Sequence, residues 1–106
     1  MKRGAIRLGS YLRAGRLVSR RAAGLRGGVV VLRPGEVMPW HSTKSREELL
    51  IVLRGSLRVD SRRSRRLRRI LLKSGQCLLV PRQTLHCVVN ESTKPARYLY
   101  ITAPAR

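Results

Sequence analysis

His41 and His86 are the only two histidines in the chain, and Glu48 is one of only five acidic residues. Two imidazoles and a carboxylate are a metal-binding set. They suit iron, manganese, nickel, cobalt or zinc, and they leave coordination positions open for water and substrate. Without a metal, the same three groups would form a charged hydrogen-bonding cluster whose carboxylate needs a partner if it is buried. Such a pocket would take a small polar or anionic ligand.

These residues lie far apart in sequence, so short extended elements must bring them together. Val29–Leu32 is a β-branched run, and Pro34-Gly35 reads as a turn. Pro39 argues against helix and for a bent or edge strand. Glu47–Leu53 reads as a strand, with Glu48, Leu50 and Val52 on one side and Glu47, Leu49, Ile51 and Leu53 on the other. Its apolar character on both sides predicts a sandwiched strand or one covered by another subunit. Ser56–Asp60 alternates as a half-buried strand. A polar turn is expected at Ser61–Ser64, with Arg65–Leu72 returning toward the core. Cys77–Val80, Thr84–Asn90 and Arg97–Thr102 complete the series, the last with Tyr98 and Tyr100 on one face. Many short strands at such intervals predict an all-β sandwich or barrel.

The segment Ser61–Lys73 has a rival reading as a basic amphipathic helix. Leu67, Ile70 and Leu71 have the spacing for it, and six arginines without an acid would suit RNA or a membrane surface. The flanking patterns favour strand. Residues 1–26 are the least legible, either edge strands around Tyr11-Leu12 and Leu17-Val18 or a loose arm. We therefore expect one domain, with residues 1–26 as strands or arm and 27–106 as the barrel.

The length, 106 residues, suits one domain with one core. Net charge is +19, with twenty Arg and four Lys. That balance raises a nucleic-acid-associated protein as one possibility. Because the charge is spread along the chain, a solvated basic surface is the favoured reading. No apolar run could span a bilayer, so no membrane partner is expected. The first residues lack the apolar stretch of a secretory signal, although Arg and Ser without acid faintly resemble a transit peptide. Cys77 and Cys87 lack metal or redox spacing and read as reduced, buried thiols in a cytoplasmic protein.

Two spaced motifs give the chain its resemblance. Gly35 is followed by five residues, His41, Ser42 and Thr43, then four residues, Glu48, six residues and Gly55. Gly75 is followed by five residues and Pro81, then by Gln83, two residues, His86, three residues and Asn90. Nineteen residues separate Gly55 from Gly75. The chain thus resembles the cupins, and the motifs with their insert cover about half of it. Thr43 stands where the family's second histidine would be, and Gln83 replaces a glycine.

The resemblance implies a single cupin-type double-stranded β-helix, or jelly-roll barrel. It implies metal ligands at His41, Glu48 and His86, with Thr43, Gln83 and Asn90 lining the pocket. Glu48 is preferred over Glu47 by its six-residue spacing to Gly55. Thr43 is a poor ligand for a divalent metal and would instead hold a metal-bound water. The resemblance also implies a small-molecule ligand or substrate and a homodimer. An enzyme would be metal-dependent, of dioxygenase, isomerase or decarboxylase type; fold alone does not choose among these or exclude a non-catalytic sensing module. Proton transfer by His86 with Tyr98 or Tyr100, as in sugar-nucleotide epimerases that pair histidine with aspartate or tyrosine, is a further alternative; the single Asp, Asp60, stands outside the motif positions. Trp40 and Cys87, next to the two histidines, are expected to face away from the site.

Overall fold

A computed structural model describes residues 6–19 and 22–105. Within them the chain is all-β, with nine strands: β1 (Gly15–Arg16), β2 (Arg26–Leu32), β3 (Val37–Ser42), β4 (Arg46–Arg54), β5 (Ser56–Arg63), β6 (Arg66–Lys73), β7 (Cys77–Val80), β8 (Leu85–Val89) and β9 (Ala96–Pro104). They pair antiparallel into two sheets, ordered β1-β2-β9-β4-β7 and β3-β8-β5-β6. Consecutive strands mostly lie in opposite sheets, as in a jelly roll. Among the described residues no helix is long and apolar enough to cross a membrane.

The core lies between the inner faces of the sheets. Leu50 and Val52 of β4, Leu57 and Val59 of β5, Leu72 of β6, Val88 of β8 and Tyr98 of β9 meet there. Each fully buried aliphatic side chain contributes about 1.5–3 kcal/mol over leaving it in water. The expected alternation in β4 holds: Glu48, Leu50 and Val52 are buried, whereas Leu49, Ile51 and Leu53 are half-buried on the outer face. Gly55 must be glycine on two counts. Its φ is +80°, and a Cβ there would stand 2.8 Å from the Pro95 carbonyl oxygen and 3.0 Å from the Ala96 Cα.

Ser61–Lys73 is not helical. Strands β5 and β6 pair continuously from Ser56↔Lys73 to Arg63↔Arg66, so the turn shrinks to Ser64 and Arg65, with Ser64 at φ 57°. The expected four-residue turn at Ser61–Ser64 is replaced by strand because β8 also pairs with Ser61 and Arg62 and holds that stretch extended. In β3, Pro39 cannot donate to the ladder, and the register with β8 shifts between Met38 and His41.

Among the described residues the N-terminal segment contributes one short strand, at Gly15–Arg16 rather than at either apolar pair; residues 1–5, 20 and 21 of the expected strands or arm lie outside the described residues. It lies along β2 with Gly15 opposite Val29 and Arg16 opposite Gly28. The Leu17 N–H donates to the Gly27 carbonyl at 2.8 Å. Arg97 Nη1 donates to the carbonyls of Tyr11 and Leu12 at 3.3 and 3.0 Å, tying the segment to β9.

Candidate metal centre

His41 on β3 and His86 on β8 are directly paired residues of the four-stranded sheet. Paired residues share a face, and the two imidazole centroids lie 4.2 Å apart with planes tilted by 56°. Glu48 arrives from the opposite sheet. It sits on β4 between Val80 of β7 and Thr102 of β9, with its side chain on the inner face. One ligand atom from each of His41, Glu48 and His86 can be chosen so that all three lie within 4.8 Å of one another. His86 is 1% exposed and Glu48 7%, while His41 is solvent-exposed at the mouth. Glu47, on the other face of β4, is exposed and takes no part.

The hydrogen bonds fix how the rings present themselves. His41 Nδ1 lies 2.8 Å from the Pro39 carbonyl oxygen, and His86 Nδ1 lies 3.3 Å from that of Thr84. A carbonyl can only accept, so each Nδ1 is the donor to its carbonyl and each Nε2 is left free of the backbone. This is the arrangement in which a histidine binds metal, with the second nitrogen held by a backbone acceptor.

The contact between Glu48 and His86 is close but poorly directed. Glu48 Oε1 and His86 Nε2 are 2.7 Å apart. Yet both atoms are buried, and neither has an aligned hydrogen-bond partner. The distance alone suggests an ion pair. The alignment is the more telling observation, because a hydrogen bond at that separation needs the donor to point at the acceptor. A buried carboxylate oxygen and a buried imidazole nitrogen that converge without an aligned bond suit the donor set of a divalent transition metal.

A cavity of about 420 Å³ opens onto these three side chains. Its walls are largely apolar, from Val29, Met38, Leu50 and Val88, with the phenols of Tyr98 and Tyr100 and with Arg16 at its edge. The Tyr98 hydroxyl is pushed well above its ordinary range, by burial first and then by the nearby charge of Glu48. It therefore stays a protonated phenol beside the carboxylate.

Thr43, Gln83 and Asn90 do not line this cavity, contrary to the expectation that they would. Thr43 Oγ1 donates to the Pro81 carbonyl at 2.8 Å and accepts from the Thr84 N–H at 3.1 Å, so its hydroxyl clasps the loop before β8. Gln83 occupies a turn at φ 58°, is exposed, and donates its backbone N–H to the Lys44 carbonyl. Asn90 is fully buried, and its amide is consumed by loop backbone and by Ser92. Trp40 is half exposed beside His41. Cys87 lies on the face of β8 opposite His86 and is buried, as expected, whereas Cys77, also expected to be buried, is exposed on β7. Burial, and then Asp60, raise the Cys87 thiol above its ordinary range.

Sequence reasoning grouped Tyr98 with Tyr100 by alternation but missed Arg16. Nothing in the N-terminal sequence marks residues 15 and 16 as the pair that joins the sheet.

Two facing antiparallel sheets, with an imidazole pair on one and a carboxylate on the other, define a small β-barrel protein with a possible metal-binding group. The cupin domain family matches residues 28–102, and the chain belongs to that family. No curated protein sequence matches it. Among solved structures, the Schizosaccharomyces pombe Cnp3 cupin domain is similar at a TM-score of 0.75 and 20% identity, over 92% of this chain and 63% of that one. The protein TT1209 from Thermus thermophilus gives 0.72 and 24%, over 93% and 92%. A recombinant oxalate oxidase in complex with glycolate gives 0.72 and 22%, over 76% of this chain and 42% of that one. The chain thus spans under two thirds of the Cnp3 domain and of the oxidase. At these identities the likeness speaks for the fold.

Proposed function

We propose that this cupin holds one divalent transition metal on His41, Glu48 and His86 and uses it to bind a small molecule in the barrel. The carrying observation is the pair of buried, unbonded atoms, Glu48 Oε1 and His86 Nε2, at 2.7 Å. Iron, manganese, nickel, cobalt and zinc all accept such a donor set. When bound, the metal supplies Lewis-acid polarisation of a ligand oxygen. The chain's own residues do the rest. The carbonyls of Pro39 and Thr84 orient the imidazoles, the apolar walls limit water, and the Tyr98 phenol offers a proton donor beside Glu48. Turnover of the bound molecule would make the protein an enzyme, and stoichiometric binding without turnover a sensing module. On this reading residues 27–106 form the barrel, and the preceding arm closes one edge of it. Two free thiols, one of them exposed, suit a reducing compartment and hence a cytoplasmic protein.

The test is elemental analysis of protein purified without chelator or a metal-binding tag. About one metal per chain is expected, with affinity reduced at least ~100-fold in His86→Ala and in Glu48→Gln. Metal below a tenth of stoichiometry, with none taken up on titration, would sink the proposal. The same sample bears on assembly. Leu49 and Ile51 are half-buried on the outer face of the five-stranded sheet, and Leu79, opposite Leu49, is 60% exposed. This apolar strip suits a homodimer, and light scattering that reports a monomer at high concentration would contradict it.

A second reading, contact with nucleic acid, is favoured by one feature. The β5–β6 hairpin carries Arg62, Arg63, Arg65, Arg66, Arg68 and Arg69, all exposed. Its single acid, Asp60, lies 3.3 Å from Arg69 and 3.1 Å from Arg58. Retarded RNA or DNA near physiological salt, lost on replacing Arg63, Arg66 and Arg68 by Gln, would support it. No retardation even at low salt would remove it.

A further inference from the structure

A second cavity of about 510 Å³ adjoins the first, and its walls are basic. Its position follows from the register. Arg16 pairs with Gly28, which faces Tyr100, and Arg26 pairs with Thr102, which faces Glu48 on the next strand. Arg46 lies two residues before Glu48 on β4. By alternation, Arg26, Thr102, Arg46 and Glu48 stand on one face of the five-stranded sheet. Arg16, Arg26, Arg46 and Thr102 line the second cavity, and no acidic side chain does. Arg16 and Tyr100 line both cavities, so the two share a wall. The same close approach explains Gly28, where a Cβ would stand 2.7 Å from the Tyr100 hydroxyl.

Among the described residues, none of the three arginines has a carboxylate partner. Arg46 is nonetheless held in place. Its Nε donates to Thr102 Oγ1 at 2.9 Å, and its Nη2 donates to the carbonyls of Thr102 and Gly24. Its Nη1 has no partner among the described residues. A guanidinium fixed by its neighbours, with donors to spare, forms charge-assisted bonds at little ordering cost. Three cations facing one concavity call for an anion.

We propose that this cavity seats the oxyanion end, carboxylate or phosphate, of a small molecule whose other end lies against His41, Glu48 and His86. The second half of that statement rests on the metal-site reading, but the anion seat does not. The experiment therefore uses metal-free, chelator-treated full-length protein. Inorganic phosphate and acetate are titrated separately while the side-chain N–H signals of the arginines are followed by NMR.

Saturable shifts at Arg26 and Arg46 are expected, with affinity at least about tenfold weaker in Arg26→Gln and unchanged in Arg62→Gln, a hairpin control. A response to phosphate alone or to acetate alone names the ligand's anionic group, and a response to both supports a general oxyanion seat. Equal shifts at the hairpin arginines, or wild-type affinity in Arg26→Gln, overturn the proposal. Stoichiometric metal binding with no anion response would remove this seat and leave the metal centre intact. Anion binding without metal would do the reverse.

Discussion

Two groups of buried polar side chains differ in one respect. Asn90 is fully buried and makes every bond its amide can make. Its Nδ2 donates to the carbonyls of Leu32 and Lys94 at 2.9 and 2.8 Å, and its Oδ1 accepts from the Ser92 N–H and hydroxyl at 3.0 and 2.7 Å. Glu48 and His86 are nearly as buried, yet Oε1 and Nε2 face each other without an aligned bond. Both groups stand at family motif positions, but they do different work. The satisfied amide ties the end of β2 to the loop between β8 and β9. The unsatisfied pair gives the fold no directed bond, and on the proposed reading a bound metal would complete it.

Mutagenesis can break this contrast. Asn90→Ala strands the Leu32 carbonyl and the Ser92 N–H, while the Ser92 hydroxyl still donates to the Lys94 carbonyl, and it should cost about 2–4 kcal/mol of unfolding free energy. Thr43→Val removes one clasp that serves two backbone groups, and about 1–2 kcal/mol is expected. Glu48→Gln should change the stability of metal-free protein by less than about 1 kcal/mol, because it removes a desolvated charge that lacks a directed partner. Chemical denaturation of chelator-treated variants checks the order. If Glu48→Gln were as damaging as Asn90→Ala, the carboxylate would be a structural ion pair and the contrast would fail.

The same contrast explains what the sequence disclosed. The spacing from Glu48 to Gly55 selects one of two adjacent glutamates, because a one-residue change turns the side chain to the other face. His41 and His86 were legible as a pair through their distances from Gly35 and Pro81. The partners of Asn90 and Thr43 were not. The Leu32 carbonyl lies 58 residues from Asn90, and the Pro81 carbonyl 38 from Thr43. Both residues were therefore read as pocket lining when their side chains were already committed to backbone. Arg16 was hidden for a similar reason, since a two-residue strand leaves no periodicity to detect. The Ser61–Lys73 stretch was ambiguous locally and became strand only through pairing with β8.

A third buried group sharpens the comparison with a smaller effect. Cys87 lies behind His86 on the opposite face of β8, and its thiol is raised by burial and then by Asp60. In the unfolded chain a thiol ionises near about 8.5. Between that pH and the higher folded value, the unfolded state has lost a proton that the native state retains. Stability due to this group is thus complete below about pH 8.5 and declines as pH rises. The raised Tyr98 phenol adds its own decline only above about pH 10, where an unfolded phenol begins to ionise. Denaturation midpoints between pH 8 and 10 should therefore slope downward in the wild type and less so in Cys87→Ala. Under native conditions a thiol reagent should modify Cys77 at least ~100-fold faster than Cys87, whose access requires local opening. Comparable rates would mean that β8 opens readily, and His86 would then be too mobile to keep its Nε2 buried beside Glu48.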